Sequence, residues 1–106
     1  MVTVKLAISP NPEAPGNYRV NVVGSGFIPN KQVIWRLRGE DTIVDDNIIA
    51  PRGGGIVGPD GKFGFEANAI GGNLNEDWGT DEIYAEVYYN EIGATHYKSN
   101  VVKGDF

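Results

Sequence analysis

The 106-residue sequence contains no cysteine. A disulfide framework and a thiolate metal centre are therefore excluded, and the fold has to be held by packing. There is one histidine, so metal sites and relays that need several imidazoles are excluded too. No segment approaches the roughly 18 consecutive apolar residues of a membrane helix, so no membrane insertion is expected. Basic residues are few: nine Lys and Arg against fourteen Asp and Glu, a formal charge of −5. None lies between Gly71 and Thr95, a stretch that carries Glu76, Asp77, Asp81, Glu82, Glu86 and Glu91. A nucleic-acid partner is not expected, because phosphate binding needs a cationic face. Met1 leads directly into an alternating strand, without the basic start and apolar run of a signal peptide. If the protein is exported, the expectation is a mature form or a domain cut from a longer chain.

What is present is strand grammar. Val2, Val4, Leu6 and Ile8 alternate with Thr3, Lys5 and Ala7, the period of a half-buried strand. Ser9 to Gly16 holds three prolines and ends it. Tyr18, Val20 and Val22 form a second inward set, and Val33, Trp35 and Leu37 a third. Ile43, Val44, Ile48 and Ile49 do not keep one phase across Asp45-Asp46-Asn47, which predicts a turn or bulge between two short edge strands. Pro51-Arg52-Gly53-Gly54-Gly55 reads as a flexible connector, and Pro59-Asp60-Gly61-Lys62 as a tight turn. Phe63, Phe65 and Ala67 point inward. Ile70 to Thr80 reads as a long loop. Ile83, Ala85, Val87 and Tyr89 are the next inward set, and Ala94 to Lys103 the last strand. No useful length shows a 3.6-residue apolar period. The expectation is a single all-β domain over residues 1–106: a seven-stranded antiparallel Greek-key sandwich with little or no helix.

Four motifs carry a family resemblance. They are the corner Gly24-Ser25-Gly26-Phe27-Ile28-Pro29-Asn30, the strand Val33-x-Trp35-x-Leu37-x-Gly39, the turn Asp60-Gly61-Lys62-Phe63, and Tyr84-x-Glu86-Val87. In this order they resemble bacterial immunoglobulin-like domains, over Val2 to Lys103. The cysteine pair of antibody domains has no counterpart here. The resemblance implies an immunoglobulin-like sandwich serving as an interaction or spacer module, at a cell surface or on a secreted or phage protein. It implies no ligand and transfers no functional residues.

Candidate sites come from the residues themselves. In the usual arrangement the third, sixth and seventh strands are neighbours. Their outward residues are then Ile34, Arg36 and Arg38; Tyr84, Glu86 and Tyr88; His96 and Lys98. Arg36, Arg38, Tyr84, Glu86, Tyr88 and His96 form a candidate binding face, since Tyr and Arg are enriched at recognition surfaces. The plainer reading is a solvated sheet face with Arg–Glu and Tyr–Lys cross-strand pairs. The interaction reading expects Tyr84 and Arg36 to be exposed, and their replacement by Ala to leave the fold intact.

The segment Asn73 to Glu82 is the second candidate. Glu76, Asp77, Asp81 and Glu82 supply carboxylate oxygens of the kind Ca²⁺ takes, although their spacing is not that of the helical calcium loop. Given that lack of spacing, a solvated acidic surface loop is the favoured reading. Trp78, with Asn73 and Asn75 close by, could stack on a sugar ring, or it could plug the open end of the sandwich.

No catalytic constellation is legible. His96 is flanked by Thr95 and Tyr97, with no nucleophile–base–orienter spacing. Adjacent acids such as Asp45-Asp46 would point to opposite faces of a strand. The reading is a non-enzymatic interaction module that binds a protein. The alternative is a carbohydrate-binding domain with a calcium-stabilised acidic loop. An edge strand near Ile43 to Ile49 offers backbone groups to a second copy, but Asp45 and Asp46 discourage pairing, so a monomer is expected.

Overall fold

The computed structural model describes residues 1–39, 48–70 and 81–104, with the backbone alone at 48–52, 70, 81 and 104. Among these residues there are eight strands and no helix. They are β1 (Thr3–Pro10), β2 (Asn17–Ser25), β3 (Gln32–Gly39), β4 (Ile48–Ile56), β5 (Phe63–Ile70), β6 (Asp81–Tyr89), β7 (Tyr97–Lys98) and β8 (Val102–Gly104). The absence of a helix also means that no described helix is long and apolar enough to cross a membrane.

Two antiparallel sheets face each other. One has the order β1-β2-β5; the other runs β4-β3-β6-β7, with β8 also pairing β6. The alternation in the sequence sets what lies between them. Val4 and Leu6, Val20 and Val22, Val33, Trp35 and Leu37, and Ile83, Ala85, Val87 and Tyr89 are buried. Each fully buried aliphatic side chain is worth about 1.5–3 kcal/mol, so this layer can hold the sandwich without cross-links. Phe27, from the β2–β3 corner, packs edge-on against Phe63, Tyr89 and Tyr97 with ring centroids 5.0, 5.7 and 5.4 Å away. The Tyr89 hydroxyl accepts a hydrogen bond from the Ile28 amide at 2.9 Å, which fixes that corner to the end of β6. The turn before β5 forms as its residues dictate. Gly61 takes φ +78°, its amide donates to the Gly58 carbonyl at 3.0 Å, and its carbonyl accepts from the Phe27 amide at 3.1 Å.

Two expectations are corrected. Pro51 to Gly55 is no connector: it lies inside β4, paired with β3. Gly53 sits opposite Trp35, and a Cβ on it would come within 3.0 Å of the indole Nε1. A Cβ on Gly55 would overlap the Phe65 ring. The glycines leave room for core aromatics rather than confer mobility. The register shifts between Arg36 and Leu37, which pair with Arg52 and Ile49, so Ala50 and Pro51 form a bulge where the missing proline N–H breaks no ladder bond.

The last strand is also divided, which makes eight strands rather than seven. β7 and β8 are separated at Ser99 and Asn100. The Ser99 amide donates to the Ala85 carbonyl at 2.9 Å, but the Ala85 amide donates to the Ser99 hydroxyl at 2.8 Å, not to a backbone carbonyl. A side chain has taken over one rung, and the backbone leaves the ladder there. The expected turn at Asp45-Asp46-Asn47 and the long loop after Ile70 fall on 40–47 and 71–80, outside the described residues.

Candidate functional site

The third, sixth and seventh strands are neighbours, as the sequence reading requires, and their register aligns the predicted outward residues in rows. Ile34 pairs with Tyr88, Arg36 with Glu86, and Arg38 with Tyr84 on β6. Lys98 of β7 lies opposite Glu86 on its other side. His96 immediately precedes β7, and its ring stacks on Tyr88 with centroids 4.3 Å apart. All six predicted face residues therefore meet in one cluster.

Glu86 is its centre. Oε1 accepts from both Nε and Nη2 of Arg36 at 2.6 Å, and lies 3.2 Å from His96 Nδ1. Arg38 Nη1 is 3.5 Å from Oε2. The Arg36 guanidinium also lies over the Tyr88 ring, 5.3 Å from its centroid. Lys98 Nζ covers the Tyr84 ring at 4.3 Å. Charge-assisted hydrogen bonds of this length are stronger than neutral ones, and cation–π stacking adds to them. The arrangement restricts the rotamers of long side chains that would otherwise be mobile on a sheet surface.

Burial corrects the expectation of a freely exposed face. Tyr84 is 4 % exposed and Glu86 8 %. Glu86 is enclosed by the cations it binds, and Tyr84 is capped by Lys98. The side chains of Arg36 and Arg38 are half-buried. Among the described residues, the buried Nε of Arg38 has no hydrogen-bond partner. Tyr84 and Glu86 thus organise the face from beneath, while Arg36, Tyr88 and His96 present edges to solvent.

An apolar strip that sequence reading missed continues this face. Ile56 is 67 % exposed and pairs with Gln32; Gly54 pairs with Ile34. Since Gly54 has no side chain, the flank of Ile34 next to it is left open. Reading Pro51 to Gly55 as a connector hid these positions. The available signal was glycine at two-residue spacing, Gly53 and Gly55, in a chain with core aromatics to be accommodated.

Of the acidic candidates, Asp81 and Glu82 open β6 and do not belong to a loop. Asn73, Asn75, Glu76, Asp77 and Trp78 lie outside the described residues. Asp81 pairs through its backbone with Gly104. Glu82 lies 3.5 Å from Lys103 Nζ at the surface. Among the described residues no group of three or more His, Asp or Glu is gathered as metal ligands. His96 Nδ1 makes its polar contact with Glu86.

No protein-family model matches the chain. No curated protein matches it. Among solved structures, macromomycin is similar with a TM-score of 0.54 over 92 % of this chain and 98 % of its own, at 9 % sequence identity. That likeness bears on the fold alone, an all-β one in both.

Proposed function

We propose that this protein is a non-catalytic, immunoglobulin-like module that binds a protein partner through the outer face of its five-stranded sheet. The observation that carries the reading is the fixed cluster of Arg36, Tyr88 and His96 around Glu86, continuous with exposed Ile56 beside Gly54. Interfaces are built from such a combination: preorganised Arg and Tyr at the centre with apolar contact area next to them. Rotamers already held by Glu86 lose less entropy on binding than free ones. The strand partition supports the immunoglobulin-like assignment. A sheet drawn from the first, second and fifth strands, against one centred on the third and sixth, is close to the division of those sandwiches. A parent protein at a cell surface, or one that is secreted or part of a phage, fits such a module.

The test is affinity capture with the native chain, an Ile56→Asp variant and a Glu13→Lys variant. Glu13 is exposed in the β1–β2 turn, away from this face. The reading expects a partner retained by the native and Glu13→Lys proteins and lost with Ile56→Asp, all three having the same melting temperature. A partner that Ile56→Asp binds unchanged would remove this face from the interface.

A further inference from the structure

A pronounced depression lies away from that face. It lies on the opposite sheet, along β1 and β2. The consecutive residues Thr3 to Ala7, with Asn21 and Val23, line it together with Asn100, around about 560 Å³. A second hollow of about 260 Å³ shares Thr3, Lys5 and Val23 and extends to Ser25 and Lys62. The two form one open groove. Its floor follows from residue size. Val23 stands 50 % exposed in the middle of the sheet, among the small side chains of Ala7, Thr3 and Ser25. Gly64 is paired with Val23, and a Cβ built on it would meet nothing within 4 Å. Farther along the same sheet, Arg19 and Glu66 form an ion pair at 3.5 Å. Lys5 and Lys62 have no such partner among the described residues, although the chain is acidic overall.

We infer that this groove binds a small organic carboxylate with an apolar body. The body lies on Val23 and Ala7, and the carboxylate lies between Lys5 and Lys62. The charge complementarity is specific to one sign, because both charged side chains of the groove are cationic. Its volume is that of small-ligand sites, about 300–1,000 Å³. The site is on the sheet opposite the proposed partner face, so either reading stands if the other fails.

The test is titration of ¹⁵N-labelled protein with sodium octanoate, followed by amide chemical shifts. Two further probes run in parallel: octyltrimethylammonium, with the same body and the opposite head, and acetate, with the head alone. Octanoate is expected to give saturable shifts confined to Thr3–Ala7, Asn21–Ser25, Lys62 and Asn100. The Lys5→Gln/Lys62→Gln protein is expected to bind about tenfold more weakly. Ala7→Phe, an exposed position whose new ring fills the floor, is expected to abolish the shifts. Absence of saturable shifts with octanoate would overturn the inference. So would equal response to either parallel probe, or unchanged binding by the double variant.

Discussion

The side chain of Asn100 pairs with the backbone of Leu6 as another strand would. Its Oδ1 accepts from the Leu6 amide at 2.8 Å, and its Nδ2 donates to the Leu6 carbonyl at 3.0 Å. β1 is an edge strand of the three-stranded sheet, and Asn100 follows β7 of the other sheet. One amide therefore joins the two sheets and occupies the middle of an edge that would otherwise be open to pairing. Ser99 makes this geometry possible, because its hydroxyl takes over the Ala85 rung just where the backbone turns toward β1.

Replacing Asn100 by Ala should leave the Leu6 amide and carbonyl without their partner. The expected loss is about 1–3 kcal/mol, the cost of leaving partly buried polar groups unsatisfied. Urea denaturation of the two proteins measures it. Native-state hydrogen exchange should locate it, with the Leu6 amide exchanging faster in the variant while the amides between β2 and β5 keep their protection. A uniform loss of protection would mean that Asn100 acts on the whole core and not on the edge.

Glu86→Gln should be more destabilising than an ordinary surface substitution, by about 3 kcal/mol. It removes the carboxylate shared by two half-buried guanidiniums, and breaking such a pair from one side leaves charge uncompensated. Arg36→Gln in the Glu86→Gln background should cost less than Arg36→Gln alone, which a double-mutant cycle reads directly. Additive effects would show that the cluster is not coupled, and the preorganised face would lose its basis.

How far the sequence could be read depends on which signal each residue carries. Period-two alternation placed Val33, Trp35 and Leu37 inward and therefore Arg36 and Arg38 outward, and the neighbouring strands followed from the usual sandwich order. This is why all six face residues could be named and do meet. Burial on that face was not legible. Tyr84 and Glu86 are covered by the side chains they bind, a tertiary effect that alternation cannot express. β4 was missed because glycine ordinarily weakens a strand, and only the positions of Trp35 and Phe65 explain why it is needed there. Asn100 was missed because its partner, Leu6, is 94 residues away.

The glycines of the two sheets should respond oppositely to substitution. Gly55→Ala places a methyl group against the Phe65 ring from the backbone of a paired strand. A loss of about 1–3 kcal/mol is expected from overpacking. Gly64→Ala adds the same group where nothing lies within 4 Å. It should be neutral or stabilising by a few tenths of a kcal/mol, because glycine in a strand interior is itself unfavourable. Thermal melts of the two variants decide this, and similar losses at both positions would contradict the steric account of β4.

Calcium separates the two functional readings that the sequence left open. The carbohydrate-binding alternative needs a cation held by Glu76, Asp77, Asp81 and Glu82, and Glu82 already lies near Lys103. A ligand that binds the folded state alone raises its stability by RT ln(1 + [L]/Kd), about 2.7 kcal/mol at one hundred times Kd. For a domain of this size that is a rise of more than about 10 °C in Tm, far above the error of a melt. The protein-binding reading expects no calcium-specific change when EGTA-treated protein is melted in millimolar Ca²⁺ against a Mg²⁺ control. It also expects Trp78→Ala to leave partner capture intact. A calcium-specific rise in Tm, together with sugar binding that Trp78→Ala abolishes, would transfer the function from the five-stranded sheet's outer face to residues 73–82.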